Sequence, residues 1–460
     1  RRMQLLAFDS MLAKHAKDMY YLDAHSREVL DFSGGFGALA TGHNHPRILA
    51  VRRRLAERRS RNAGPAFASR YAAALATNLA RIAPGDLDVV QLCRNGSEAI
   101  AGAVRIARQA QGPRRSQVAY VSRSRYGRAP AAPRVINSTH RRSGFRRTGS
   151  AVWVPYGDTG ALAAALRKRR IGTLLLETVQ GSAGVVPPPL GYLREVRRLC
   201  DQHGVLWIAD EVHCGTGRTG RFFAFEHDGV LPDIVTLARS LGGGAVSVGA
   251  VIARRGVPQH PGPDTPSAMA PGTATVSRTG EAYCTAIEEL SVLYDEDLIG
   301  NAERTGRYLR RRLEGLRLSY PDLVTDIRGM GLMVGVQLAG ISAGVTSDVY
   351  SAARLHSGDQ PGGLAGVVGS LLLAEHGVLV TLTEHDRDVL RLEPPLTIQP
   401  QHVDEFVDAL DELLSRGMHR LILDYLSVVR GSSVVRESSV VRESSPDTAP
   451  VQALPATSRQ

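Results

Sequence analysis

Lysine is nearly absent from this sequence. Of 56 Lys plus Arg residues in a chain of 460, three are lysines, Lys14, Lys17 and Lys168, and the other 53 are arginines. A guanidinium stays protonated at physiological pH, so any chemistry that needs a neutral primary amine has three side chains to draw on. Cysteine is scarce too. Cys93, Cys200, Cys214 and Cys284 are single and far apart, which fits neither a disulfide framework nor a paired CxxC metal site and leaves reduced thiols as the expectation. No apolar run approaches the ~18 to 20 residues that a membrane helix needs, and the amino terminus lacks a basic-then-apolar signal pattern. The sequence is therefore expected to be cytoplasmic, with no membrane partner.

What is present is an ordinary globular balance, 43% apolar and 22% charged, which excludes disorder throughout. The length allows two domains or one large one. A net charge of +11 raises nucleic acid as a partner. Its source argues against that, because the excess of arginine over lysine has the look of a coding bias. The clusters Arg52-Arg53-Arg54, Arg167-Lys168-Arg169-Arg170 and Arg310-Arg311-Arg312 sit in or beside helical stretches without interleaved aromatics. They read as solvated faces, so no nucleic-acid partner is expected.

From about residue 70 the text alternates helix-like and strand-like blocks. Tyr71 to Ala83 and Glu98 to Gln111 read as amphipathic helices, Thr173 to Glu177 as a short apolar strand, Leu193 to His203 as a helix and Val205 to Asp210 as a second buried strand. Alternation of this kind predicts a mainly parallel sheet covered on both faces, with a right-handed crossover across 173 to 210. Ligands bind beyond the carboxyl ends of such strands, which makes Glu177 and Asp210 candidates on position alone. Gly256 to Gly272 reads as a surface or interface loop, Gly280 to Leu316 as helical, Asp326 to Leu338 as one strand and Gln401 to Arg416 as a closing amphipathic helix. Three tandem hexads follow, SVVRGS at 427 to 432 and SVVRES at 433 to 438 and 439 to 444. Three units are too few for a solenoid, and 427 to 460 is expected to be a disordered tail.

Three motifs carry candidate chemistry. Gly215-Thr216-Gly217-Arg218-Thr219-Gly220 fits GxGxxG, but Glu211 to Cys214 separate it from the preceding strand and no helix signature follows, so a dinucleotide site is not expected. Asn95-Gly96-Ser97 stands directly before a helix, where free N–H groups and the positive end of the dipole can hold a phosphate. The same residues are also ordinary caps. His43-Asn44-His45 lacks a third ligand nearby and reads as a hydrogen-bonding loop, so no metal is expected.

Read in order, the blocks GGFGALATGHNHPRI (34 to 48), RNGSEA (94 to 99), LLLETVQGSAGVVPPPLGYL (174 to 193), IADEVHCGTGRTG (208 to 220), PDIVTLARSLGGG (232 to 244), DIRGMGLMVGVQL (326 to 338) and LRLEPPL (390 to 396) resemble class III aminotransferases of pyridoxal phosphate fold type I. The resemblance spans roughly residues 15 to 418. It implies an α/β fold, a large domain around a mainly parallel seven-stranded sheet plus a small α+β domain. The expected divisions are 1 to 59 as a segment contributing to the small domain, 60 to 295 as the large cofactor-binding domain, 296 to 426 as the small domain and 427 to 460 as the tail. Asn95, Gly96 and Ser97 match the loop that cradles the cofactor phosphate. Thr275 in TVSRTG matches a threonine that reaches the phosphate from the partner subunit, which implies a homodimer with sites at its interface. Asp210 matches the carboxylate that pairs with the pyridine nitrogen, Val212 lies where a side chain covers one ring face, and His213 stands where the family usually has glutamine. Arg391, in R-x-x-P-P-L, matches an arginine that clamps a substrate carboxylate. The alternative is that it serves packing or pairs with an acidic residue such as Glu177.

The pattern breaks at Arg239. After PDIVTLA the family has the lysine that forms the Schiff base with the cofactor and shuttles a proton, a role typically worth ~10² to 10⁴ in rate. Arginine offers donors but no lone pair. Lys14 and Lys17 lie in the amino-terminal segment, and Lys168 falls at a helix end before the 173 to 177 strand, so rescue by another lysine is not expected. Ser240 replaces a usual glycine and Ser182 a frequent glutamate. Arg125-Tyr126-Gly127 stands where an aromatic-His-Gly stacks on the cofactor, which a one-residue shift assigns to Tyr126. Two readings follow. One is an aminotransferase-family protein that keeps pyridoxal 5'-phosphate, non-covalently, or pyridoxamine phosphate but cannot carry out standard transamination on an amine or keto acid. The other is a non-catalytic pseudoenzyme acting as scaffold or regulatory partner, for instance of an active paralogue.

Overall fold

A computed structural model of the chain describes residues 13–23, 26–57, 69–124, 152–167, 170–257, 280–341 and 363–438. Its centre is a seven-stranded sheet. In spatial order the strands are Leu87–Cys93, Gly249–Arg254, Ile234–Leu237, Leu206–Asp210, Ile171–Glu177, Gln117–Val121 and Val152–Val154. The last five run parallel, and Gly249–Arg254 is antiparallel to both of its neighbours. Ile171–Glu177 is buried along its whole length, which is why Leu174-Leu175-Leu176 form an apolar run with no polar alternation.

Alternation along these strands divides the core. Leu175, Ile208, Ile234 and Val251 meet the face of helix Gly96–Gln111 that carries Ala99, Ala103, Val104, Ile106 and Ala107. Leu174, Leu176, Trp207, Ala209, Val235 and Ile252 point the other way, into a core shared with Leu193, Val196 and Leu199 of helix Tyr192–His203. A period of two then places Asp210 and Thr236 on the same face as Ile208 and Ile234, the face covered by helix Gly96–Gln111.

Two four-stranded sheets complete the described fold. In the first, Ala13–Lys17, Tyr20–Asp23 and Glu28–Asp31 form a meander, and Glu28–Asp31 pairs in parallel with Val378–Leu379, with Leu30 opposite Val378. Residues from near the start and near the end of the chain thus share a sheet. The second takes the order Val324–Met330, Met333–Leu338, Val389–Leu392 and Thr381–Leu382, all antiparallel.

Several expectations need correction. Asp326 to Leu338 is not one strand but a hairpin, turned at Gly331-Leu332 where Gly331 takes φ +52°. Its Gly329-Met330-Gly331 signal was a turn inside an apolar run. The helical block after 280 is two helices, Gly280–Asp295 and Leu298–Ser319. The expected tail does not begin at 427, because a helix spans Gly417–Ser438 and takes in the first two hexads. Leu421, Ile422 and Leu426, in the part of this helix that precedes the hexads, are buried against the neighbouring helices. The Gly256 to Gly272 loop falls largely outside the described residues.

Candidate active site

The carboxyl ends of the central strands gather the expected residues. Asn95 caps helix Gly96–Gln111, its Oδ1 accepting from the Glu98 N–H at 3.0 Å, a contact worth about 1 kcal/mol to the helix. Gly96 and Ser97 occupy the first turn, where helix geometry supplies no intrahelical acceptor for their N–H groups. Asn95 is thus the cap, and the next two residues have N–H groups in the first turn. Glycine at 96 is required by close packing, since a Cβ there would stand 2.8 Å from Val212 Cγ1 and 3.4 Å from the Ala238 Cβ. That contact joins the helix start, the residue after Asp210-Glu211 and the residue before Arg239 in one place.

Asp210 ends strand Leu206–Asp210 and is 6% exposed. Its Oδ1 accepts from Thr236 Oγ1 at 2.8 Å and from the Val212 N–H at 3.0 Å, so its orientation is fixed from the next strand and from its own turn. Glu177 stands opposite Asp210 on the adjacent strand and is buried. Arg239 opens a short 3-10 turn, Arg239–Gly242, with φ +27°, and its guanidinium donates to the Phe36 carbonyl.

The sequence reading missed Glu393, which is wholly buried. His213 Nε2 lies 2.5 Å from its Oε1 without the alignment of a hydrogen bond, and Arg391 Nε lies 3.5 Å from its Oε2. Burial and then the Arg239 guanidinium hold His213 down to about 4, so the ring is neutral at physiological pH. Burial pushes Glu393 up, but its cationic surroundings outweigh this and hold the carboxyl well below the usual range. With His213 neutral, Arg391 and Arg239 supply that effect. Arg391 is 4% exposed, donates from Nε to Thr381 Oγ1 at 3.2 Å and sets its guanidinium 5.4 Å from the Phe36 ring centre. An acidic neighbour of Arg391 is Glu393, which the sequence reading did not consider.

Arg218 was also missed, although the glycine motif contains it. It is 1% exposed, and its Nη1 donates to the carbonyls of Leu332, at 3.2 Å, and Pro394. The motif is thus a packing device. Gly217 lies against Ile299 and Gly220 against Glu303, and no dinucleotide-type turn into a helix follows. His43 Nε2 lies 2.8 Å from Asp31 Oδ2 and its ring packs on Tyr21, while His45 Nε2 is 3.2 Å from Glu296 Oε1. Both match the hydrogen-bonding reading. Lys17 is exposed on the edge strand Ala13–Lys17. Tyr126, Thr275 and Lys168 lie outside the described residues. Among the described residues no helix is long and apolar enough to cross a membrane.

The sequence profile of the family Aminotransferase class-III matches residues 7–414. The chain belongs to the class-III aminotransferases. Among solved members, the ornithine aminotransferase of Toxoplasma gondii superposes with a TM-score of 0.71 at 28% identity, covering 92% of this chain and 91% of that one. An acetylornithine aminotransferase from Elizabethkingia anophelis gives 0.69 at 25%, covering 90% and 94%. The architecture is the type I fold of pyridoxal phosphate enzymes, as the sequence led us to expect. Aminotransferase PigE of Serratia sp. (strain ATCC 39006) is 31% identical over an alignment of 432 residues that covers 86% of this class-III chain and 49% of PigE. The chain therefore spans about half the length of that relative.

Proposed function

We propose that this class-III aminotransferase relative holds pyridoxal phosphate or pyridoxamine phosphate without a covalent bond, and that it does not carry out standard transamination. The observation that carries the first half is the Asp210 carboxylate, fixed by Thr236 and Val212 beside the helix start at Gly96, where only a glycine leaves room. When bound, the cofactor supplies an electron sink for negative charge developing on the substrate. Asp210 would keep the ring nitrogen protonated, since an adjacent anion favours the charged form. The N–H groups of Gly96 and Ser97 would take the phosphate at the positive end of the helix. Val212 would cover one ring face and His213, neutral in its buried place, would stand near the ring hydroxyl. Tyr126 as a stacking aromatic and Thr275 reaching across a homodimer interface complete the proposed site.

The second half rests on Arg239 as the residue at the lysine position. Its guanidinium has no lone pair with which to attack a carbonyl or to take a proton from carbon. The hydrogen bond to the Phe36 carbonyl directs it toward the 34 to 37 turn, which favours a second reading as a silent scaffold or regulatory partner. One experiment separates the two. The full chain is incubated with pyridoxal phosphate, reduced with borohydride, digested and read by mass spectrometry, alongside equilibrium dialysis against pyridoxamine phosphate. The holding site predicts no pyridoxyl mass on the peptide containing residue 239, such a mass in Arg239→Lys, and retention of pyridoxamine phosphate. Retention of neither cofactor form leaves the scaffold reading. Pyridoxyl fixed to a lysine of the unmodified chain, with multiple turnovers of amino transfer, overturns both.

A further inference from the structure

We infer that Arg239 is a positioning residue: together with Arg218 it caps a left-handed turn at Gly34–Gly37 and so fixes one wall of the cofactor site. The inference rests on the reading of that site as a holder of pyridoxamine phosphate for its last step only, the effect of the turn on the cofactor.

The turn is of unusual hand. Gly34, Gly35, Phe36 and Gly37 take φ of +50°, +59°, +60° and +76° in succession. Glycine enters this region freely, whereas a side chain there crowds the following carbonyl, so Phe36 is the strained member. The entry is secured by the wholly buried Asp31. Its Oδ1 accepts from the Ser33 N–H at 2.8 Å, from Ser33 Oγ at 2.5 Å and from the Gly34 N–H at 3.0 Å. Inside the turn the Gly37 N–H donates to the Ser33 carbonyl and the Leu39 N–H to the Gly34 carbonyl, both at 3.0 Å.

At the exit, donors come from elsewhere in the chain. A helical turn leaves its last carbonyls without partners of its own. Here the Phe36 carbonyl accepts from Arg239, and the Gly37 carbonyl accepts from Arg218 Nη2 at 3.4 Å. Arg218 is anchored for this by the Leu332 and Pro394 carbonyls, which accept from its Nη1. Both arginines stand in loops that follow adjacent strands of the central sheet, Leu206–Asp210 and Ile234–Leu237. A guanidinium suits the task, since it presents several N–H donors in a rigid fork and keeps its charge. Arg239 is itself strained at φ +27°, so two residues of unfavourable backbone meet in one hydrogen bond. Strain of this kind persists only where the surroundings over-determine it. Ala238, next to Arg239, lies against the helix start, where a Cβ at Gly96 would stand 3.4 Å from its own Cβ. Through Ala238 the turn thus reaches the N–H groups that would hold the phosphate.

Hydrogen exchange of the full chain, resolved to single amides by mass spectrometry, reads the Gly37 and Leu39 N–H groups. In Arg239→Ala their exchange should quicken at least about tenfold, the lower end of what a hydrogen bond from a charged donor carries. Guanidinium ion at low concentration should slow it again, and sodium ion at the same ionic strength should not. A general loss of stability gives the opposite sign, because guanidinium then speeds exchange. Unchanged exchange in Arg239→Ala, or no slowing by guanidinium, overturns the inference. Pyridoxamine phosphate should also leave Arg239→Ala faster than the unmodified chain, and an unchanged release rate overturns the tie to the site. If the unmodified chain retains no pyridoxamine phosphate, the cofactor reading fails and the exchange comparison stands by itself. Should Arg239→Ala not fold, a crystal structure of the unmodified protein decides. Arg239 on the Phe36 carbonyl supports the inference, and a guanidinium turned away from it overturns it.

Discussion

Replacing Asp210 by asparagine tests the cofactor site with little disturbance to the fold. In the native chain Thr236 Oγ1 and the Val212 N–H both donate to Oδ1, at 2.8 and 3.0 Å. Asparagine keeps a carbonyl oxygen for those donors and removes only the charge. Alanine would orphan both donors at a position 6% exposed, at about 1 to 3 kcal/mol each, and would confuse binding with stability. A hydrogen bond to a charged partner contributes about 1.5 to 3 kcal/mol, and burial leaves little water to screen it. Asp210→Asn should therefore weaken pyridoxamine phosphate binding about 10- to 150-fold at neutral pH. Equilibrium dialysis reads the affinity, and a urea unfolding midpoint on the same sample reads the fold. An asparagine variant of native stability with native affinity would refute the assignment of Asp210 to the ring nitrogen.

Two other perturbations test the packing around the site. Gly96→Ala places a Cβ 2.8 Å from Val212 Cγ1, so pyridoxamine phosphate affinity should fall several-fold at a stability cost of about 1 to 3 kcal/mol, and Val212→Ala in the same chain should restore both. No recovery in the double variant would mean that the contact does not shape the site. Glu289 is wholly buried, accepts from Thr41 Oγ1 at 3.0 Å, and is pushed by burial from 4.5 up to about 8. A carboxyl raised in the folded state holds its proton where the unfolded chain has lost it, so its contribution falls as pH rises from about 4.5 to about 8, by at most about 1.4 kcal/mol per pH unit. Glu289→Gln should flatten the stability profile across that window in urea unfolding, and an unchanged slope would refute the linkage.

The parts of the fold legible in the sequence are those where one strong local rule acts alone. Ile171–Glu177 is buried on both faces and is marked by the run Leu174-Leu175-Leu176, and Asn95 is a cap by residue type and place. Asp210 stood out because it ends a buried strand in an alternating α/β pattern. Elements that depend on tertiary packing were less legible. Nothing in the repeats beyond 427 announces a helix, and the buried residues of that helix, Leu421, Ile422 and Leu426, all precede them. Glu393 was overlooked for a different reason. It sits inside a motif read for its arginine and prolines, although a carboxylate two residues from Arg391 on a strand was the available signal.

Arg239 sets a fixed charge in the site. A lysine at that turn could give up its proton and leave the pocket neutral there, whereas a guanidinium keeps its charge at every physiological pH. That permanent charge helps to keep His213 neutral and Glu393 ionised. Arg391 and the wholly buried Arg218 add cations around the same carboxylate, and Arg218 is itself pushed down by burial to about 10. The buried Glu393 is therefore the counter-charge on which this cluster of arginines closes, and Arg239 and the carboxylate at 393 belong to one electrostatic arrangement.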